Sequence, residues 1–171
     1  MKYKHIIWDW NGTLLNDLTL CVDLLNLSLE KRKLPAMTED KYRKKFLFPI
    51  KTFYESIGFD FSKEDFTIAN DEFHQGFEQK FKKLALQPYA QETIARFQKL
   101  GITQSILSAT VQSRLNEQVD FFGITDLLDN VVGISNTPSG YGKEFEGREL
   151  LNNTDIPLEQ TIIVGDSMLD F

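Results

Sequence analysis

The chain has 171 residues, of which 42% are hydrophobic and 26% charged, a composition typical of a globular protein with a hydrophobic core. Its formal net charge of -6 argues against general nucleic-acid binding, because such proteins usually carry a basic surface. The single cysteine, Cys21, cannot form an internal disulfide, no secretory signal is evident, and no apolar run approaches the roughly 20 residues of a membrane span. We therefore expect a soluble cytoplasmic protein that binds neither nucleic acid nor membrane.

The first predicted elements are a short strand and a long helical stretch. Residues 3–8 predict a buried strand, and residues 16–85 then show helical periodicity almost throughout. This segment contains nine of the fourteen phenylalanines. Its acidic and basic residues are equal in number, so the net charge of -6 comes entirely from the rest of the chain. These differences indicate an inserted helical domain. Its four predicted helices begin near Asp17, Thr38, Pro49 and residues 62–65.

From Pro88 onward, helices alternate with short apolar strands. Alternation of this kind indicates a parallel sheet joined by right-handed crossovers, which is an α/β fold. The predicted helices are residues 90–100, 111–122 and 144–152, and the predicted strands are residues 102–107, 131–134 and 161–164.

Polar side chains directly follow three of the predicted strands. Asp9, Ser108 and Asp166 each come immediately after an apolar run. Because parallel strands end at the same edge of a sheet, these three residues are expected to lie on one rim, where open α/β folds bind ligands.

These residues lie in motifs that resemble those of the haloacid dehalogenase-like hydrolase superfamily, in its phosphoglycolate-phosphatase-like branch. The first motif is similar to residues 9–14 (DWNGTL), the second to residues 106–108 (ILS), the third to Lys143, and the fourth to residues 165–170 (GDSMLD). The resemblance implies a Rossmann-like parallel sheet formed by residues 1–15 and 86–171. It also implies an all-helical cap formed by residues 16–85, and a sheet in which the Asp9 strand lies between the Ser108 and Asp166 strands.

The resemblance further implies hydrolysis of a small phosphorylated metabolite through a covalent phosphate on Asp9. A carboxylate nucleophile divides one difficult hydrolysis into two easier steps. Lys143 would neutralise the phosphate, and Ser108 with its neighbour Ala109 would contact the phosphoryl oxygens. Backbone amides at Gly12 and Thr13 would complete the phosphate cradle.

The family chemistry also implies a magnesium ion at this edge of the sheet. Its ligands would be the carboxylates of Asp9 and Asp166 and the backbone carbonyl of Asn11, with Asp170 as a further or alternate ligand. Oxygen ligands that leave room for water suit Mg²⁺.

The sequence departs from the family pattern at Asn11, where related phosphatases carry a second aspartate that serves as general acid and base. An amide cannot transfer that proton, and such catalysis contributes typically 10²–10⁴-fold. Three hypotheses are consistent with this departure. The chain is a slow or leaving-group-restricted phosphatase, a protein that binds a phosphorylated ligand with little turnover, or an enzyme for a different family reaction such as carbon–phosphorus or carbon–halogen cleavage.

Three smaller expectations concern residues near these motifs. Gly12 leaves the backbone nitrogen after Asn11 unhindered, so deamidation of Asn11 is a chemical hazard. Trp10 is expected either to contact substrate or to pack in the core. The basic cluster at residues 31–33 is expected to be solvated or to steer an anionic substrate.

The last expectation concerns assembly. Relatives in this family continue past the fourth motif with a further helix and strand, whereas this chain stops at Phe171. The strand before Asp166 would then be an edge strand with unpaired backbone groups. This predicts a homodimer through that edge.

Overall fold

The computed structural model describes residues 2–135 and 143–167. Four parallel strands form one sheet in the order β3-β2-β1-β4. The strands are β1 (His5–Trp8), β2 (Thr103–Val111), β3 (Asn130–Ile134) and β4 (Thr161–Val164). This confirms the predicted α/β class and the predicted sheet order.

Seven α-helices are present among the described residues. They are α1 (Leu18–Lys31), α2 (Glu39–Lys45), α3 (Ile50–Ser56), α4 (Phe66–Lys80), α5 (Ala90–Lys99), α6 (Gln112–Phe121) and α7 (Glu144–Asn152). No helix in this part of the chain is long and apolar enough to cross a membrane.

The sheet is held by apolar residues that are buried on both of its faces. All four residues of β1 are buried, and Ile7 packs with Leu107 of β2 and Leu150 of α7. The two flanking pairings bring Trp8 beside Ile106 of β2 and beside Val164 of β4. The segments that follow β1, β2 and β4 therefore emerge at the same edge.

The chain divides into two compact units, one formed by Met1–Asn16 and Ala85–Phe171 and the other by Asp17–Leu84. The second unit is helical and has its own core, whose centre includes Leu25, Phe53 and Phe59. Two further phenylalanines of this unit, Phe77 and Phe81, are also buried. That this unit acts as a cap stays a prediction.

Two sequence expectations about the elements need correction. Strand β2 continues to Val111, so Ser108 lies inside the strand and not after its end. Asp17 precedes α1, but its side chain does not cap the helix and instead accepts a hydrogen bond from Cys21 Sγ at 3.7 Å. The predicted start of the fourth helix near residues 62–65 is confirmed, because α4 begins at Phe66 with Asp65 as the capping residue that accepts from the Thr67 amide.

Candidate active site

Asp9 is the first residue after β1, and its side chain is almost completely withdrawn from solvent. The residue is 8% exposed, and its backbone amide donates to the Val164 carbonyl of β4 at 2.8 Å. A carboxylate in such a position requires a compensating charge or hydrogen bonds, because burial of an unpaired charge is costly.

Lys143 supplies that compensating charge. It is the residue immediately before α7, and its ammonium group forms an ion pair with Asp9 Oδ1. The two side chains are only 13% and 11% exposed, and Lys143 Nζ also donates to the Leu107 carbonyl at 3.1 Å. The strand neighbouring β1 and the start of the last helix thus bring a cation to the carboxylate, as the third-motif prediction requires.

Asp166 lies against the loop that follows Asp9. A Cβ atom placed on Gly12 would be 2.2 Å from Asp166 Oδ2 and 2.7 Å from its Cγ. Gly12 also has a φ of +79°, a conformation that side-chain-bearing residues rarely adopt. Glycine at this position therefore allows the Asp166 carboxylate to approach the backbone of the first motif.

The Asn11 side chain is held by hydroxyl groups of β2. Thr110 Oγ1 donates to Asn11 Oδ1 at 2.8 Å, and Ser108 Oγ donates to the same oxygen at a longer 3.4 Å. The Thr110 amide donates in turn to Ser108 Oγ at 3.1 Å. These residues occur where β2 changes register against β3, between Leu107 and Val111. Ala109, between the two hydroxyl residues, is partly exposed.

The loop after Asn11 is fixed mainly by its own backbone. The Gly12 amide donates to the Leu15 carbonyl at 3.0 Å, so this group is engaged within the loop and does not point freely into a phosphate cradle as expected. Gln87 Nε2 donates to the Gly12 carbonyl at 3.0 Å. Thr13 Oγ1 is buried and has no hydrogen-bond partner among the described residues. Thr13 therefore remains the better candidate of the two for ligand contact.

Sequence reasoning missed Thr110 and Gln87 as residues that shape this site. Thr110 follows a run that ends, by hydropathy, at Leu107, and it bonds to a residue 99 positions earlier in the chain. Gln87 stands where the chain re-enters the first unit. The only signal for Gln87 in the sequence was that it is a polar residue close to the end of the inserted segment.

Trp10 and His5 belong to the interior. Trp10 is completely buried, its Nε1 donates to Gln118 Oε1 at 2.7 Å, and its ring packs near Phe122. Of the two alternatives for Trp10, packing is correct. His5 is also fully buried, with Nε2 at 2.9 Å from Ser105 Oγ. Burial lowers the pKa of His5, and the Asp129 carboxylate offsets this in part.

The described residues fit a magnesium ion if side-chain carboxylates, a backbone carbonyl and water act together as its ligands. No cluster of three or more His, Cys, Asp or Glu side chains occurs in residues 2–135 and 143–167. The site instead offers the carboxylates of Asp9 and Asp166 and the backbone oxygen of Asn11, all hard oxygen donors that suit Mg²⁺ together with water. The close approach of Asp166 to Gly12 supports this fit. Asp170 lies outside the described residues.

The family follows from a comparison with known protein families. The haloacid dehalogenase-like hydrolase family matches residues 6–171, which is nearly the whole chain. The chain belongs to the haloacid dehalogenase-like hydrolase family. Among curated proteins, no sequence matches this chain.

Solved structures of this hydrolase fold match the chain over 99% of its length. A predicted phosphoglycolate phosphatase from Haemophilus somnus has a TM-score of 0.79 and 20% identity, with 80% of its own chain covered. A predicted phosphatase from Clostridium acetobutylicum has a TM-score of 0.78 and 20% identity, with 79% covered. The protein tyrosine kinase A of Mycobacterium tuberculosis has a TM-score of 0.80 and 17% identity, with 77% covered. At such identities the likeness establishes a shared fold.

Proposed function

We propose that this hydrolase is a Mg²⁺-dependent phosphatase that acts on a small phosphorylated metabolite through a covalent phosphate on Asp9. The observation that carries the proposal is the ion pair between the buried Asp9 carboxylate and Lys143 at the carboxyl end of the sheet. The Asp166 carboxylate beside the first-motif loop supports it further. Two of the similar structures carry the description of predicted phosphatases.

In the first chemical step, a carboxylate oxygen of Asp9 attacks phosphorus. The bond between phosphorus and the leaving-group oxygen breaks, and that oxygen departs with the electron pair. In the second step, water attacks the phosphorus of the aspartyl-phosphate, phosphate leaves, and the Asp9 carboxylate is restored. Each step requires stabilisation of negative charge on the phosphoryl oxygens.

Lys143 and Ser108 are suited to that stabilisation. The Lys143 ammonium already lies beside the nucleophile, so it holds the carboxylate in place and can share its charge with a phosphoryl group bound there. As a donor, the Ser108 hydroxyl makes a long bond of 3.4 Å to Asn11, and a phosphoryl oxygen can replace that acceptor at little cost.

A magnesium ion would be held by Asp9, Asp166 and the backbone carbonyl of Asn11, with Asp170 as the further ligand expected from the sequence. When bound, it neutralises the charge that would otherwise keep a phosphate away from two carboxylates. The side chain of Asn11 is not needed for this role, so its replacement of an acid leaves the ligand set intact.

Asn11 restricts the leaving groups that the enzyme can expel. Its amide gives a hydrogen bond to the departing oxygen but no proton, so that oxygen must leave as an anion or take its proton from water. Acyl phosphates, aryl phosphates and phosphoanhydrides release stable anions, whereas alkyl phosphates do not. We expect the former to be the better substrates.

The test is a hydrolysis screen of the purified chain with acetyl phosphate, p-nitrophenyl phosphate, phenyl phosphate and alkyl phosphates, with and without Mg²⁺. Asp9→Asn should remove turnover, and Asn11→Asp should raise alkyl phosphate hydrolysis by about 10²-fold. A Mg²⁺-dependent release of phosphate that Asp9→Asn eliminates supports the proposal. Absence of turnover in both the parent and Asn11→Asp overturns it and favours a protein that binds its phosphorylated ligand without hydrolysis.

A further inference from the structure

Asn11 occupies the position where a general acid is expected, yet its side chain is not loosely placed. Its oxygen accepts the 2.8 Å hydrogen bond from Thr110 Oγ1 and the longer one from Ser108. In this arrangement the oxygen of the Asn11 amide faces the two hydroxyl groups of β2. The nitrogen end is then the end turned away from Thr110.

We infer that Thr110 is a positioning residue that locks the Asn11 amide in this orientation, with two consequences. The amino group of Asn11 is held as a neutral hydrogen-bond donor for the oxygen of the leaving group, and the side-chain carbonyl carbon is kept from reacting with the Gly12 nitrogen. The first consequence rests on the proposed phosphatase activity. The second does not depend on any activity.

The second consequence follows from the chemistry of an Asn-Gly pair. In deamidation, the Gly12 backbone nitrogen attacks the side-chain carbonyl carbon of Asn11, the bond to Nδ2 breaks, and ammonia leaves. Water then opens the cyclic imide to aspartate or isoaspartate. The attack requires the Asn11 side chain to rotate toward Gly12 and the Gly12 N–H to give up its proton.

The structure restrains both partners of that reaction. The Asn11 oxygen is held by Thr110, and the Gly12 N–H donates to the Leu15 carbonyl at 3.0 Å. The dipeptide that makes Asn11 vulnerable in the sequence is therefore protected in the fold, and Thr110 supplies the side-chain half of that protection.

Thr110→Val tests the lock, since it removes the hydroxyl and keeps the branched shape. The matched control is Thr103→Val, which makes the same change at the start of the same strand, where Thr103 is paired with His5 at the opposite end of β1 from Asn11. Thr110→Ser retains a hydroxyl and should restore the parent's behaviour. If Thr110→Val does not fold, Thr110→Ala replaces it.

The first readout is deamidation at Asn11, followed by peptide mass analysis during incubation at mildly alkaline pH. Folded Thr110→Val should deamidate severalfold faster than the parent, Thr103→Val and Thr110→Ser, whereas all four should deamidate alike when unfolded in urea. Equal or slower deamidation in folded Thr110→Val overturns the lock, whether or not the chain has phosphatase activity.

The second readout is the dependence of kcat/KM on the leaving group across a series of aryl phosphates. Thr110→Val should lose about tenfold more activity on phenyl phosphate than on p-nitrophenyl phosphate, because the poorer leaving group needs the hydrogen bond more. Equal losses on both substrates overturn the donor role of Asn11. If neither the parent nor Asn11→Asp shows turnover, the proposed function fails while the deamidation result still decides the role of Thr110.

Discussion

At the scale of single residues, the Asp9–Lys143 ion pair places an ammonium group against a buried carboxylate. Lys143→Met would remove the ammonium partner of the buried Asp9 carboxylate, while the Asp166 carboxylate stays close to the first-motif loop. We expect this variant to lose activity and about 1–3 kcal/mol of unfolding free energy. Urea unfolding with a chelator present measures the stability loss without a contribution from bound metal.

The control for this prediction is Asp9→Asn, alone and combined with Lys143→Met. Asp9→Asn also removes activity, but it takes away the buried negative charge, so its stability should fall less. The double variant should recover part of the stability that Lys143→Met loses. If the double variant is no more stable than Lys143→Met, the Asp9 carboxylate that has lost its ammonium partner is not the cause of the lower stability.

Gly12 offers a second prediction at this scale. Gly12→Ala should cost about 1–2 kcal/mol because of the positive φ, and should also displace the Asp166 carboxylate and remove activity. Gly101→Ala is the matched control, since Gly101 has a φ of +70° but nothing within 4 Å of the added Cβ. Phosphatase assays and unfolding curves on both variants separate the effect of backbone strain from the effect of the clash between the added Cβ and Asp166. Equal activity in the two variants would show that the approach of Asp166 to Gly12 does not matter for function.

At the scale of elements, β1 carries a buried histidine whose charge state is coupled to folding. Burial lowers the pKa of His5 below its ordinary value, so the unfolded chain binds a proton more readily than the folded chain. Stability is then fully present above the unfolded pKa near 6.5 and is lost as the pH falls below it.

We therefore expect the urea midpoint of the parent to drop between about pH 7.5 and about pH 5.5, with part of the drop due to His5. His5→Gln should reduce that pH dependence, because glutamine does not titrate and its amide can still reach Ser105. His74→Gln in α4 serves as the comparison. A pH dependence that His5→Gln leaves unchanged would assign the acid sensitivity to other groups.

The elements also show why some features were predictable and others were not. The position of Asp9 followed from local information, because the residue directly succeeds an apolar strand. The extent of β2 did not, because hydropathy falls after Leu107 while pairing with β3 resumes at Val111 after a register shift. The contact of Thr110 with Asn11 depends on that long-range pairing, and no local pattern encodes it.

The helical unit contains a further case of this kind. Residues 31–33 form a basic run that was expected to be solvated, yet Arg32 is only 15% exposed and pairs with Glu64 and Glu72. Its guanidinium also donates to Ser28 Oγ at 2.7 Å. The expectation was wrong for Arg32, because its acidic partners come from segments more than thirty residues away.

At the scale of the whole molecule, the two compact units should differ in their response to mutation. Arg32→Met breaks a half-buried network that joins α1 to α4, and we expect it to cost the helical unit about 1–3 kcal/mol. Lys31→Met removes a 61% exposed partner of Glu72 and should cost about 0–1 kcal/mol.

Hydrogen exchange provides the readout for this pair of variants, because it resolves local opening. Faster exchange confined to residues 17–84 in Arg32→Met is the expected result. Equal acceleration across β1 and β2 would show that the two units unfold together and that the network supports the whole chain.

The homodimer also belongs to this scale and remains a prediction. Among the described residues β4 lies at one end of the sheet, beside β1 only. Light scattering over a range of protein concentrations should show a dimer that dissociates on dilution. A monomer mass at every concentration would contradict pairing through this strand.

The contacts between the two ends of the inserted segment have a consequence for protein engineering. The Asn16 amide donates to the Ala85 carbonyl at 3.0 Å, and Leu15 forms an antiparallel bridge with Leu86. Residues 17–84 are therefore a single insertion whose two ends are held together by these contacts. The candidate site residues all belong to the first unit, outside this insertion: Asp9, Asn11, Ser108, Lys143 and Asp166. A short linker or a different module could therefore replace residues 17–84 without interrupting any strand of the sheet.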